Sequence, residues 1–568
     1  MKYLRVLFAL LDRKEKHFFY FLFFLVLVSV LLETISIGLV IPITSFFLKD
    51  DYELIENIDY FNSYSNDQKF LYAILLFFLI IIFKNIYLVL VSYIQQKYTW
   101  RVYKKISNKF FKLYLNLNYR DFVMLNSSEI IKNISVQLNL ITTYINSILF
   151  LIIEIFIIIG ISLVLFLFDY LSTAIIFCSY GFIMIFYIFF IKNIMNNSGN
   201  DRKKYDYKIL DNLNNTFGAY KFILLQNLQR FFFNNHNTYV EKISKAGFNQ
   251  GFISSLPKYL IETVTILIII SLIYYLKTDY SIEDVIQLLA LFVAAAFKLI
   301  PSINRIMVSI SHIQASFPII KNLNIQKIKF KNDIDKLEIY NSSLKELNFN
   351  KNIKFKNVSF SFDKNIIFNN LNISIEKNSF IGIMGESGVG KSTFINLVMG
   401  FIFPNSGDIL VDENNIQSNM SAWQKKIGYV PQSVYLKDGS LFENIAYGKD
   451  LKQIDNDLIN QTLIQSSIMK DEKNKMYNNI GEKGALISGG QIQRIGIARA
   501  LYLECDILIL DEPTSSLDKR REVEIIKSIS NLKNNKTIIL ISHKMENLIY
   551  CDKVYKIENN DIKNIAIK

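Results

Sequence analysis

"SFIGIMGESGVGKSTFINLVMG", residues 379–400, reads as an apolar strand, a glycine-rich turn and a helix in that order. The turn matches G-x-x-x-x-G-K-[ST] over residues 385–392, in the strand-to-helix context that the pattern requires. The spacing has a chemical reason. Gly385, Gly388 and Gly390 let successive backbone N–H groups face a phosphate without side-chain clash, and the helix that follows adds its positive end. Lys391 then reaches the β- and γ-phosphates of a nucleotide and Ser392 is placed to ligate Mg2+, with Glu386, Ser387, Val389 and Thr393 in the same cradle. A mere tight turn between strand and helix is the alternative, and this context sets it aside.

Further along, "CDILILDEPTSSLD" (505–518) is an apolar run of the kind that forms a buried parallel strand, and it ends in two carboxylates. An acid at the carboxyl end of such a strand can hold the magnesium, which assigns Asp511 to the metal. A second acid beside it can orient or deprotonate an attacking water, which assigns Glu512 to catalysis. Upstream, "IKFKNVSFSF" (353–362) alternates like a strand and opens the same domain.

Several motifs in this half resemble the nucleotide-binding domain of ATP-binding cassette (ABC) transporters, over most of 351–568. "ISGGQIQR" (487–494) is similar to the family signature, with isoleucine where the family usually has leucine. The resemblance implies that Ser488, Gly489, Gly490 and Gln491 contact the γ-phosphate of an ATP held by an opposite subunit. It places Gln432 of "GYVPQ" as the magnesium- and water-sensing glutamine, a metal and catalytic position. His543 of "LISHK" becomes the γ-phosphate histidine, and Asp518 of "SSLD" a residue of the subunit-contact loop. Phe362 stands where the family has an adenine-stacking tyrosine, and a phenyl ring still offers its π-face. "SLFENIAYG" (440–448) and "GEKG" (481–484) resemble the exporter branch. ATP and Mg2+ are the cofactors so implied, and ATP hydrolysis coupled to translocation is the activity.

The half before residue 320 has a different composition. Of the 568 residues 51% are hydrophobic, with a mean hydropathy of +0.24, and the apolar residues crowd into the first 320. Runs long enough to span a bilayer, at about 20 residues each, lie near 18–41, 70–94, 146–168, 171–191, 259–276 and 285–310. The expected architecture is therefore an α-helical membrane domain of six transmembrane helices (1–320), a polar linker (321–350) and an α/β P-loop ATPase domain (351–568). The family resemblance makes this a type IV ABC exporter. With one cassette per chain and a signature that acts across an interface, a homodimer is the working unit.

The net charge of +13 does not require nucleic acid, because the excess sits beside the spans. Lys97, Arg101, Lys104, Lys105, Lys109, Lys112 and Arg120 follow the second span, and Lys192, Arg202, Lys203, Lys204 and Lys208 follow the fourth. Asp50, Asp51, Glu53, Glu56, Asp59 and Asp67 fill the first loop. The positive-inside rule then puts both termini and the cassette in the cytoplasm. "MKYLRVLFALLDRKEKHFF" (1–19) has no small-residue cleavage site and reads as an interfacial helix. Cys178, Cys505 and Cys551 form no metal-ligand or disulfide pattern. Cytoplasmic helix tips are expected near 119–128 and 214–230, by topology alone.

Four cations sit in or at the ends of the apolar runs: Lys84, Lys258, Lys298 and Arg305. Lys298 and Arg305 are seven residues apart and share one helix face, with Pro301 between them. A mid-bilayer charge costs about 2.5–3.5 kcal/mol on the lenient insertion scale, so each needs a partner or a wet cavity. Two readings are open. In one, the cations form a basic ring in a dimer cavity that holds an anionic substrate group, a pyrophosphate being the best chemical match. In the other, Glu33, Glu154 and Glu262 pair with them, and Lys258 snorkels to the interface. "ETISIGLVIPI" (33–43) and "KLIPSINRI" (298–306) resemble the bacterial flippases of lipid-linked oligosaccharides used in N-glycosylation. That resemblance implies flipping of a polyprenyl-pyrophosphate-linked oligosaccharide from the cytoplasmic to the periplasmic leaflet of the bacterial inner membrane, with a short external helix in 49–69. Export of a lipopolysaccharide-type lipid, a drug or a peptide, or an ATP-gated channel or regulator, remains the alternative.

Overall fold

The computed structural model describes residues 2–40, 66–279, 282–342, 347–363, 365–468, 479–514 and 519–565. Most of the acidic first loop, where an external helix is expected, lies outside them. The chain divides into two compact units, Met1–Leu117 with Met124–Asn332, and Asn118–Val123 with Asp333–Lys568.

The first unit is helical. A short α1 (Lys2–Leu10) precedes α2 (Arg13–Gly38) and α3 (Asn66–Leu115). The second unit claims α4 (Tyr119–Val123). Next come α5 (Ser127–Ile131), a π-helical turn (Lys132–Gln137) and α6 (Asn139–Phe168). They are followed by α7 (Tyr170–Gly218), α8 (Tyr220–Leu225), α9 (Gln229–Asp279) and α10 (Ile282–Ser342). Among the described residues six stretches are long and apolar enough to cross a membrane: Arg13–Gly38, Gln68–Leu115, Ser127–Phe168, Tyr170–Gly218, Gln229–Tyr274 and Leu288–Phe330. At 1.5 Å per residue the 49 residues of α7 extend roughly 74 Å, against a hydrocarbon core of about 30 Å. The helices therefore run far beyond the bilayer, as the mixed basic segments after spans two and four lead one to expect.

Leu75, Leu79, Phe83, Ile86 and Val89 of α3 are exposed, a disposition that suits lipid and not water. Inside the bundle, Ile157, Ile161, Leu165, Ile261, Leu272, Leu291, Leu299 and Met307 share one buried cluster. Two glycines permit the closest approaches. A Cβ on Gly160 would stand 2.3 Å from Thr34 Oγ1 and one on Gly199 2.1 Å from the Ala315 carbonyl oxygen. Pro301 and Pro318 both lie within α10, which continues past them to Ser342. Much of the segment read as a polar linker is therefore helical. Its sequence has too weak an apolar period to reveal this, because the helix there is an extension of a span and not an amphipathic element of its own.

The described residues of the second unit form two sheets. One is four-stranded, in the order β2-β1-β4-β5, built from Asn352–Phe362 (β1), Asn365–Glu376 (β2), Ser406–Val411 (β4) and Asn414–Asn415 (β5). The other is six-stranded, in the order β10-β9-β3-β8-β7-β6. Its strands are Phe380–Met384 (β3), Ile427–Val430 (β6), Ile507–Asp511 (β7), Thr537–Ile541 (β8), Lys553–Glu558 (β9) and Asp561–Ile565 (β10). All its pairings are parallel except β9 with β10. Near-continuous Ile and Leu in β3, β7 and β8 follow from burial on both faces.

Candidate functional site

Parallel strands place their carboxyl ends on one edge, and ligands bind outside that edge. Here β3 runs into the glycine loop, β7 ends at Asp511, β8 at Ile541 two residues before His543, and β6 at Val430 two residues before Gln432. The strand order β3-β8-β7-β6 sets these four ends side by side. Residues as far apart in the chain as Gly385 and His543 thus meet along one edge.

The loop is built as its spacing requires. Gly388 and Gly390 have φ of +81° and +116°, and a Cβ on Gly385 would come within 2.8 Å of Val389 Cγ1 and 2.9 Å of the Ile557 carbonyl. Lys391 opens the helix Lys391–Val398, yet its Nζ bends back to donate to the carbonyls of Gly385 at 2.9 Å and Glu386 at 2.8 Å. Burial depresses its pKa against the pull of Glu512 and Asp511. The ammonium is largely withdrawn from solvent but still beside two acids, which suits a group that meets a polyphosphate.

Glu512 is the centre of the constellation. Its backbone lies in the left-handed region at φ 49°, its N–H donates to the Ile541 carbonyl at 3.2 Å, and its carboxylate is 17% exposed. Gln432 Nε2 donates to one carboxylate oxygen at 2.8 Å, and His543 Nε2 stands 2.6 Å from the other. The other two residues assigned to catalysis from the sequence are therefore both within hydrogen-bond reach of Glu512. Asp511 next door has a raised pKa, first through burial and then through the charge of Glu512. A divalent cation would reverse that penalty, so the donor set fits Mg2+.

Tyr429 escapes the sequence reading. Its phenol donates to Asp511 Oδ2 at 3.5 Å, and burial together with that carboxylate raises its pKa. Gln493, also missed, donates from Nε2 to the Gln432 carbonyl at 2.8 Å and ties the signature helix Gly489–Tyr502 to the glutamine loop. The only sequence signal for either is its place beside a motif. Residues 432–436 and Lys483, Gly489, Ile492 and Gln493 line a cavity of about 380 Å³.

The remaining assigned residues are placed as follows. Ser488 caps the signature helix in a box with Gln491, its N–H donating to Gln491 Oε1 at 2.7 Å, and both Ser488 and Gly489 are exposed while Gly490 is buried. Among the described residues, no hydrogen bond joins 488–491 to the glycine loop. Phe362 is 40% exposed, edge-on to Phe360 at 4.9 Å. Ser392 is exposed and Thr393 half-buried. Asp518 lies outside the described residues. The tip α4 packs with this unit, Tyr119 stacking on Phe401 at 5.1 Å and Arg120 standing 3.7 Å from Asp363.

Within the membrane unit the cations have partners. Lys298 Nζ donates to Glu33 Oε1 at 2.6 Å, and Arg305 Nε pairs with Glu154. These are the carboxylates named in the second of the two sequence readings. The acids are 6% and 4% exposed, whereas Lys298 and Arg305 keep 29% and 44% of their side-chain surface exposed. Lys84 is buried and donates a long 3.4 Å bond to Ser36 Oγ, close to both Lys298 and Glu33. Lys258 is exposed, 5.9 Å above the Tyr259 ring, and Glu262 is exposed too.

Residues 368–515 match the family model described as "ABC transporter". The cassette is an ABC transporter ATPase domain. The whole chain has the exporter fold: "Structure of a bacterial Atm1-family ABC exporter with ATP bound" superposes with a TM-score of 0.72, covering 95% of this chain and 94% of that one at 18% identity. Curated relatives include a "Multidrug resistance ABC transporter ATP-binding and permease protein" of Lactococcus lactis subsp. lactis (strain IL1403), 35% identical over 187 residues, 32% of each chain. They also include an "ATP-dependent lipid A-core flippase" of Wigglesworthia glossinidia brevipalpis, 34% identical over 217 residues, 37% of each chain. The chain spans about a third of the length of the curated relatives it matches.

Proposed function

We propose that this chain is half of a homodimeric ABC exporter that hydrolyses ATP and flips a polyprenyl-pyrophosphate-linked oligosaccharide for protein glycosylation. Both termini and the cassette face the cytoplasm of a bacterial inner membrane. The observation that carries the ATPase reading is the bridge at Glu512, whose two oxygens meet Gln432 and His543. Such a carboxylate can order a water for in-line attack, while Gln432 and His543 hold it and read the γ-phosphate. Ser392, Gln432 and Asp511 would hold a magnesium ion, which would supply charge neutralisation for the phosphates. Exposed Ser488 and Gly489 support a second copy as the owner of the ATP that the signature completes. So does the tip α8, which leaves Phe222 and Leu225 at 59% and 75% exposure.

The substrate reading rests on the charge inside the bundle. Lys84, Lys298 and Glu33 together carry one positive charge more than they neutralise, and Lys298 and Arg305 keep an open side next to their buried acids. Doubled in a homodimer, that excess suits a compact anion such as a pyrophosphate, and the resemblance of 33–43 and 298–306 to the oligosaccharide flippases points to the same class. The test uses purified chain in liposomes with labelled lipids. A pyrophosphate-linked glycan should be flipped and should stimulate hydrolysis, while lipid A-type lipids and cationic drugs should not. Transport of those alone would replace the substrate reading and leave the ATPase intact.

A further inference from the structure

Where α1 folds back on α2, Leu4, Arg5, Phe8, Ala9 and Lys16 enclose an open pocket of about 480 Å³, within the range of small-ligand sites. Its frame is fixed. Leu7, Leu10 and Leu11 are buried, Tyr144 donates to the Tyr3 carbonyl at 3.1 Å and Lys327 to the Ala9 carbonyl at 2.5 Å, and Tyr3 packs edge-on to Phe317 at 4.9 Å. One face of α1 is thus held by the bundle, and the pocket lies on another.

The charge around it is unbalanced for a specific reason. The first 16 residues carry Lys2, Arg5, Arg13, Lys14 and Lys16 against Asp12 and Glu15. Both acids are engaged from α3: Lys109 meets Asp12 at 2.9 Å and holds its carboxyl below the ordinary range, and Lys105 pairs with Glu15. No carboxylate among the described residues compensates Arg5 or Lys16.

The pocket also has a continuation. Lys16, Tyr20 and Phe24 follow at four-residue spacing and Leu31 falls on the same face of α2, which is the membrane span. Tyr20, Phe24 and Leu31 are 59%, 62% and 61% exposed, and the Phe8 ring lies 6.1 Å from that of Tyr20. A two-cation site thus opens directly onto an apolar stripe that faces lipid. A soluble phosphate would use only the first part of this surface, whereas an anionic lipid would use both.

We propose that Arg5 and Lys16 bind the phosphate of an anionic phospholipid whose chains lie along Tyr20, Phe24 and Leu31, a site separate from the substrate cations. The bound lipid would fix the angle between the interfacial helix and the first span. Each cation close to an anionic headgroup contributes roughly a fivefold change in affinity, about 1 kcal/mol.

Native mass spectrometry of the delipidated full chain, titrated with phosphatidylglycerol or phosphatidylcholine, tests this. Phosphatidylglycerol should bind more tightly than phosphatidylcholine. Arg5→Gln with Lys16→Gln should abolish the preference, Arg5→Lys with Lys16→Arg should keep it, and Arg13→Gln with Lys14→Gln should leave it unchanged despite the same loss of charge. Equal binding of the two lipids by the wild type, or equal loss in the Arg13, Lys14 pair, would overturn the site. Displacement of the lipid by millimolar glycerol 3-phosphate would also overturn it, since the ligand would then be a soluble phosphate.

Discussion

His543 Nε2 and Glu512 Oε1 are 2.6 Å apart, and the other oxygen of Glu512 accepts a hydrogen bond from Gln432. With both oxygens engaged, the carboxylate has one orientation, and its chemistry can be separated from its shape. Glu512→Gln keeps the shape and removes the base. ATP binding should persist while turnover falls by about 10²-fold or more, the usual contribution of a positioned base. Steady-state hydrolysis beside binding of a fluorescent ATP analogue measures the two. Near wild-type turnover would take the role away from Glu512.

The second prediction concerns the two half-sites. A mixed dimer of Lys391→Ala and Ser488→Arg chains should keep one composite site intact, whereas either mutant homodimer keeps none. Dimers isolated with two different tags should hydrolyse ATP above both homodimers. If the mixture is as inactive as they are, Ser488 does not complete a partner's site.

The edge-strand chemistry was legible in the sequence because each motif follows an apolar strand, and parallel strands put their carboxyl ends together whatever lies between. Glu512 could be given a role from its strand end alone, whereas the roles expected of Gln432 and His543 came from the resemblance to the ABC motifs, without knowing that β8 lies between β3 and β7. Tyr429 was not legible. Its hydroxyl reaches Asp511 only through the parallel pairing of β6 with β7, a long-range register that no local pattern encodes. In the membrane half, the spacing of Lys298 and Arg305 revealed a shared face. Choosing between a counter-ion and a substrate as their partner needed the packing of spans one, three and six. The helix over 321–342 was missed for a related reason: stiffness inherited from a span leaves little periodicity behind.

Glu522 gives a pH prediction. It is buried, and burial opposes its ionisation. Hydrogen bonds from Lys544 Nζ, Asn547 Nδ2 and Thr514 Oγ1, each 2.7 Å, outweigh burial and lower its pKa below the ordinary 4.5. A depressed carboxyl contributes stability that is present above the ordinary pKa and lost as pH falls through the folded one. Glu522→Gln should lower the melting temperature at neutral pH, with a loss of about 3 kcal/mol at the low end for a broken buried pair, because Lys544 is half-exposed and can rehydrate. The difference between wild type and variant should shrink below pH 4.5 in thermal melts of the full chain. A gap that stays constant down to pH 3 would show that the ionised form is not what stabilises the contact.

The cations within the helical bundle offer a test in which folding and transport separate. Removing Lys298 takes from Glu33 its hydrogen-bonded cation and leaves only the more distant Lys84, and Glu33 Oε2 has no hydrogen-bond partner among the described residues, so Lys298→Ala should lower yield, and Glu33→Gln should restore it. Such a result follows from the ion pair alone and says nothing about substrate. Lys84 is different. Glu33 keeps Lys298 when Lys84 is gone, and a buried cation outside the ion pair carries a desolvation cost that an apolar side chain of similar length removes. Lys84→Met should therefore fold normally and hydrolyse ATP at the basal rate. If the excess positive charge holds an anionic headgroup, the same variant should lose lipid-stimulated hydrolysis and flip the pyrophosphate-linked glycan roughly 10- to 100-fold more slowly, the equivalent of one charge-assisted hydrogen bond of about 1.5–3 kcal/mol. Arg305→Lys keeps the charge and should be milder. Full flipping by a well-folded Lys84→Met chain would leave the cluster with a structural role only and move the search for the headgroup site elsewhere in the bundle.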